Sequence, residues 1–266
     1  MFFMWFLLLT AQLKPKHPSM KTLRILLDVS TSMRALQDNG RSIFQNVTTA
    51  LGTGVVAEVI DECRTAGEQL SLEFSTFNGA LTPNAIPPVL VEACTDDEHG
   101  RQVVASITSS LQQLAIGGTT ALYDSVRTTA LDLARAISEG DSRESAVLLL
   151  VTDGDDTSSE HSRAAMMSAL AEAHGVTFIA RGCDDVSIET QQLMQHPTGD
   201  NDLAPPVFFS RQRSESVNSS MRSASNATSY ALLGERGQSP VTCMPQMPFA
   251  SPTIPPIPPP PSLRRR

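Results

Sequence analysis

The sequence predicts an α/β fold: a three-layer, doubly wound, mostly parallel central sheet with helices on both faces. Three observations predict it. Strand-like and helix-like segments alternate from residue 22 to about residue 233, the order that a parallel sheet with crossover helices requires. Two of the strand-like segments, TLRILLD (22–28) and SAVLLLV (145–151), are continuous apolar runs, as in strands buried on both faces. Both runs end on oxygen-bearing side chains, and open α/β sheets bind ligands at the carboxyl ends of their strands.

Each element has its own signal. TLRILLD reads as a short buried strand. A helix follows over about 39–66, where Ile43, Val47, Leu51, Val55, Val59 and Cys63 recur every four residues. QLSLEFSTFN (69–78) alternates Leu70, Leu72 and Phe74 with polar neighbours and reads as a second strand. TPNAIPPVLVE (82–92) carries three prolines, so any strand there lies on an edge. Residues 99–115 and about 122–139 read as helices separated by the loop IGGTT. The apolar strand from 145 ends in TDGDD. SEHSRAAMMSALAEAH (159–174) is a helix with His174 in its last turn and Gly175 as its stop. VTFIARG (176–182), SIETQQLMQ (187–195) and PVFFS (206–210) read as strand, short helix and last strand. Val217, Met221, Ala224 and Ala231–Leu233 stand at helical spacing over 213–233.

The chain divides into an N-terminal apolar extension (1–20), a folded domain (21–233) and a Pro/Ser-rich tail (234–266). The apolar run MFFMWFLLL is too short to span a bilayer. It has the length of a signal-peptide core, but no Lys or Arg precedes it and no A-x-A site follows. A weak signal, a short anchor, or translated sequence ahead of a true start at Met20 all fit, and the last fits best. A cytoplasmic protein is therefore expected, or a secreted one if residues 1–19 act as a signal. The tail lacks periodicity and reads as disordered, with IPPIPPPP as a docking segment for a proline-reading partner.

The 266 residues carry 20 basic and 28 acidic side chains, a formal net charge of -8, which speaks against nucleic-acid binding. A membrane role is not expected. Cys63, Cys94, Cys183 and Cys243 have no zinc-like spacing and read as incidental thiols, with a Cys63–Cys94 disulfide as the alternative. Asn46, Asn218 and Asn226 begin glycosylation triplets, which matter only in a secreted chain. The five histidines are scattered.

Three segments bring oxygens to one end of the predicted sheet. They are Asp28-x-Ser30-x-Ser32, the GGTTALYD loop with Thr119, Thr120 and Asp124, and Thr152-Asp153-Gly154-Asp155-Asp156. Alternate positions on extended chain point the same way, so Asp28, Ser30 and Ser32 converge above the sheet. An all-oxygen set without His or Cys selects a hard cation: Mg²⁺ first, Mn²⁺ or Ca²⁺ as alternatives. Each segment also has an ordinary explanation. Ser30 or Ser32 caps the next helix, Thr of GGTT caps another, and TDGDD is a turn. The combination, in this order and on these elements, favours a metal site.

With DVSTS (28–32), GGTTALYD (117–124) and LLLVTDGDD (148–156) in hand, the chain resembles the von Willebrand factor type A (vWA) domain with a metal-ion-dependent adhesion site. The resemblance covers about residues 22–233 and implies a Rossmann-like vWA fold. It selects Thr120 over Thr119, because the metal Thr directly precedes x-L-Y-D. It implies that Ser30, Ser32 and Thr120 touch the metal through hydroxyls; Thr120 is expected on a solvent-facing loop. Asp28 and Asp153 would hold the metal directly or through water. The implied function is a protein-binding module, not an enzyme, in which a partner's Asp or Glu carboxylate completes the cation's shell. The alternatives are a Mg²⁺-dependent phosphoryl-transfer enzyme with Asp28 as nucleophile, or a structural vWA domain without a functional metal. The enzyme reading lacks a second acid at Ser30. It also lacks a lysine in the body of the domain, since the only lysines are Lys14, Lys16 and Lys21.

Overall fold

A computed structural model describes residues 20–92, 96–139, 143–183, 185–194 and 208–233. The expectations for the N-terminal extension, the tail, Cys94 and Cys243 lie outside these residues.

β1 (Met20–Asp28), β2 (Gln69–Phe77), β3 (Leu81–Val91), β4 (Arg143–Thr152) and β5 (Val176–Gly182) form one sheet in the order β3-β2-β1-β4-β5. All neighbours are parallel except β3, which runs antiparallel to β2. The proline-bearing segment is thus an edge strand, with irregular register around Asn84 at φ 50°. The chain leaves β1 toward β2 on one side and later returns to β4 on the other. The switch point lies between the carboxyl ends of β1 and β4.

Side-chain alternation builds two cores. Leu23, Ile25 and Leu27 of β1 and Val147, Leu149 and Val151 of β4 face α1 (Ile43–Ala50), α2 (Ala57–Ala66), α3 (Asp97–Gln112) and α7 (Ser214–Leu233). Leu26, Leu148 and Leu150 face α4 (Leu122–Ser138) and α5 (Arg163–Glu172). The short α6 (Ile188–Met194) follows β5. Arg24 and Glu73, side by side on β1 and β2, form an ion pair with Arg24 Nε 2.7 Å from Glu73 Oε2.

The helix expected over 39–66 begins at Ile43. Ser42 and Gln45 form a reciprocal capping box there, with Gln45 N donating to Ser42 Oγ at 3.1 Å and Ser42 N to Gln45 Oε1 at 2.9 Å. A π turn, Leu51–Val56, joins α1 to α2. The run Ile43–Ala66 is apolar and long enough to cross a membrane, yet 67% of its most apolar window is buried in the fold, which is the behaviour of a core helix. Asn46, the first glycosylation candidate, is buried and donates to Gln37 Oε1 at 2.6 Å; Asn218 and Asn226 are exposed on α7. Cys63 is a free, buried thiol.

Two expectations are corrected. Helix α5 ends at Glu172, so His174 stands beyond it, and Gly175 takes φ +80° in the turn into β5. The described part of PVFFS, residues 208–210, is not a sixth strand. Among the described residues, only one bridge there, Cys183 to Phe209, extends the sheet. The backbone that a strand would use is engaged elsewhere: Gln37 Nε2 donates to Ser210 O (3.0 Å) and Ser210 N to Ser216 Oγ (2.6 Å).

Candidate metal centre

The five residues singled out above converge at the switch point. Asp28 is the last residue of β1 and Asp153 immediately follows β4; both are buried. Asp28 Oδ1 accepts from Ser30 N at 2.7 Å and Oδ2 accepts from Thr152 Oγ1 at 2.6 Å. Ser32 Oγ donates to Asp153 Oδ1 at 2.7 Å, and Ser30 Oγ stands 2.9 Å from Ser32 Oγ.

Thr120 arrives on the Gly-rich loop, which is stitched to its neighbours. Gly117 N donates to Val29 O (2.7 Å), Thr31 N to Gly118 O (3.2 Å), and Asn78 Nδ2 to Gly117 O (2.9 Å). Gly118 sits at φ +91°, a conformation that disfavours any side chain. Thr120 is buried rather than solvent-facing, because residues 157 and 158 fold over it and donate both their amides to Thr120 O. Among the described residues its hydroxyl makes no hydrogen bond. Thr119 points away, with its hydroxyl on Ser158 Oγ at 2.9 Å.

The capping and turn explanations divide. Ser30 precedes the 3₁₀ turn Thr31–Arg34, and its side chain makes no capping bond. Helix α4 starts after Ala121, again without a side-chain cap. The serine and threonine hydroxyls are therefore not used as caps. Asp155 and Asp156, by contrast, are structural. Asp155 accepts from Ser187 N (2.9 Å) and Thr190 Oγ1 (2.5 Å) and so positions α6. Asp156 accepts from Tyr123 N (3.2 Å) and Ser159 Oγ (2.5 Å). Asp124 takes Glu160 N (2.7 Å) and lies 2.8 Å from His161 Nδ1. Two acids remain at the centre, and no group of three or more His, Cys, Asp or Glu among the described residues is placed to hold a metal.

The residues present fit a hard cation. Three hydroxyls and two carboxylates supply only oxygen. A Cβ at Gly154 would lie 3.5 Å from Ser32 Oγ and 3.8 Å from Thr120 Oγ1, so the absent side chain leaves open the space that both hydroxyls border. Burial pushes the Asp28 carboxyl up from 3.8 to about 6, opposed by its bonds to Thr152 and Ser30 and aided by the nearby Asp153 charge. Burial raises Asp153 as well, against its bonds to Ser32 and Arg211. Two buried carboxylates that resist ionisation are stabilised when a cation lies beside them.

Sequence reasoning named Thr152 only as part of an oxygen-bearing turn and missed its role on Asp28; it missed Arg211 altogether. Thr152 holds Asp28 from the neighbouring strand, and only strand register reveals it. Arg211 Nη2 lies 3.4 Å from Asp153 Oδ2, reached from a segment 58 residues away. No local pattern marks Arg211.

No protein-family model and no curated protein sequence matches the chain. Solved structures do match. A von Willebrand factor type A protein from Catenulispora acidiphila aligns over 80% of this chain and 43% of its own, at 17% identity and TM-score 0.52. The PilB minor pilin from Streptococcus sanguinis aligns over 84% and 64%, at 12% identity and TM-score 0.53. The pilus adhesin SpaC from Lactobacillus rhamnosus GG aligns over 82% and 31%, at 16% identity and TM-score 0.53. The chain thus spans less than two thirds of each of these proteins. Identities this low speak to fold alone, and the mostly parallel five-stranded sheet with helices around it is a fold of the von Willebrand factor type A kind.

Proposed function

We propose that the chain is a metal-ion-dependent protein-binding module. Ser30, Ser32 and Thr120 bind one divalent cation through their hydroxyls, and Asp28 and Asp153 hold it directly or through water. A carboxylate from an Asp or Glu of a partner protein completes the shell. The observation that carries this reading is the convergence of three uncapping hydroxyls with only two acids at the switch point of the sheet. Few anionic ligands leave the cation electrophilic enough to take one more. Mg²⁺ suits a set of small oxygens completed by water better than Ca²⁺, which takes 6–8 oxygens at longer range.

A phosphoryl-transfer role for Asp28 is disfavoured. Both its oxygens already accept short hydrogen bonds from fixed donors, and the residue is fully buried. Lys21, the one described lysine, stands at the opposite end of β1. The pilin and the pilus adhesin among the structural neighbours weigh toward the secreted alternative and against the cytoplasmic expectation; N-terminal sequencing of the natural chain decides it. The function is tested by titration calorimetry with Mg²⁺, Mn²⁺ and Ca²⁺, together with a partner pull-down with and without EDTA. Wild type binds one cation and captures its partner only without EDTA. Absence of any binding up to millimolar cation leaves a structural domain and ends the adhesion reading.

A further inference from the structure

The centre has a cation of its own. Arg211 spans two carboxylates, with Nη2 3.4 Å from Asp153 Oδ2 and Nη1 3.0 Å from Asp185 Oδ2. Its side chain is 39% exposed, whereas that of Asp153 is fully buried. The backbone that carries Arg211 is pinned. Phe209 N donates to Gly182 O (2.9 Å), Gln37 Nε2 reaches Ser210 O and Arg211 O (3.0 and 3.4 Å), and Asp38 N donates to Gln212 O (2.9 Å). Asp38 Oδ1 also accepts from Ser214 N (2.9 Å) and Ser214 Oγ (2.7 Å). Gln37 and Asp38 lie on the loop that continues from Ser30 and Ser32. One loop therefore supplies two hydroxyls to the centre and holds the guanidinium at its edge.

We propose that Arg211 is the internal competitor of the divalent cation at this centre, an inference that rests on the metal reading above. Asp153 Oδ1 is taken by the Ser32 hydroxyl, so Oδ2 is the oxygen left for a cation or its water, and Oδ2 faces Arg211. Two positive groups at one buried carboxylate repel each other, and the low local dielectric strengthens the effect. Arg211 neutralises Asp153 when no metal is bound and weakens the metal's hold when it arrives. Asp185 offers the guanidinium a second anion on the exposed side, which lets it yield Asp153 without losing all pairing. The chain thus binds its cation reversibly rather than as a permanent fixture.

The test is Mn²⁺ and Mg²⁺ titration calorimetry on the full chain carrying Arg211→Gln, Arg211→Lys or Asp185→Asn, with unfolding in EDTA as a second readout. Arg211→Gln tightens Mn²⁺ binding by roughly tenfold and lowers the unfolding temperature in EDTA, because Asp153 loses its counter-ion. Arg211→Lys keeps the charge but loses the fork that spans both carboxylates, so it tightens Mn²⁺ binding less than Arg211→Gln does. Asp185→Asn, an exposed change that leaves the core untouched, weakens binding severalfold by confining Arg211 to Asp153. It carries the test should Arg211→Gln fail to fold. Unchanged or weaker binding in Arg211→Gln overturns the competition, weaker binding meaning that Arg211 instead holds Asp153 in place; unchanged or tighter binding in Asp185→Asn overturns it too. If every protein binds the cation equally, only the competition fails. If none binds, the metal reading fails with it.

Discussion

At Asp28, burial and ionisation work against each other. The folded carboxyl titrates near 6, whereas the unfolded chain releases the same proton near 3.8. The folded state without metal therefore binds the proton more tightly. Its stability is greatest below 3.8, falls as pH rises through that window, and levels off above about 6. The loss is about 3 kcal/mol at neutral pH. Asp28→Asn keeps an acceptor for Ser30 N and removes the charge. It is expected to unfold at a higher temperature than wild type in EDTA at pH 7.5, and to show no cation binding by calorimetry. Asp28→Ala is the less informative change, because it leaves Ser30 N and the Thr152 hydroxyl without their buried partner. Gly154→Ala makes the complementary probe. Its methyl meets only ordinary contacts with Ser32 and Thr120, so the fold should tolerate it. The same methyl crowds the space between the two hydroxyls, and cation affinity should fall at least tenfold with the unfolding midpoint nearly unchanged.

The helical run over 43–66 shows how one element absorbs a neighbour. Its π turn carries Gly52 and Gly54. A Cβ at Gly52 would overlap the Thr108 hydroxyl and lie 3.0 Å from Thr108 Cβ, so α3 packs against bare backbone there. A Cβ at Gly54 would meet nothing within 4 Å. Two substitutions of identical chemistry should therefore diverge in urea unfolding. Gly52→Ala should lose about 1–3 kcal/mol through overpacking. Gly54→Ala should be neutral or gain about 0.5–1 kcal/mol from its helix preference. Equal effects would mean that α3 does not pack so closely. Helix α7 shows a related device. Its buried face holds Ser220, Ser225, Thr228 and Ser229 beside Ala224, small enough to lie close to the sheet. Arg181 of β5 is buried against it, with Nη2 on Ser223 Oγ at 3.2 Å, and burial alone lowers its guanidinium to about 10.

For the whole molecule, cation binding and folding are linked. A ligand that binds only the folded state at 100 times its dissociation constant adds about 2.7 kcal/mol. In a domain of this size that amounts to a rise of about 5–10 °C in unfolding temperature. The rise should be present at pH 7.5 and shrink as pH falls below about 6, where Asp28 takes up its proton and the cation must displace it. Fluorimetric melting with and without MgCl₂ across pH 5–8 checks both the size and the sign. A shift that is independent of pH would mean that Asp28 takes no part in binding.

The sequence by itself determined the α/β class, the edge placement of the proline segment and the chemistry of the strand ends. Those properties reside in local pattern: apolar runs, proline positions and oxygen side chains at alternate spacing. Only the tertiary structure decided which acids face the centre. Asp153 and Asp155 are two residues apart, yet one meets Ser32 and the other braces α6. Only the tertiary structure turned 208–210 from a strand into a brace, since Gln37, 173 residues away, claims the Ser210 carbonyl. It likewise brought Arg211 to Asp153. Contacts between distant segments depend on sheet order and loop closure, and no periodicity in the chain records them.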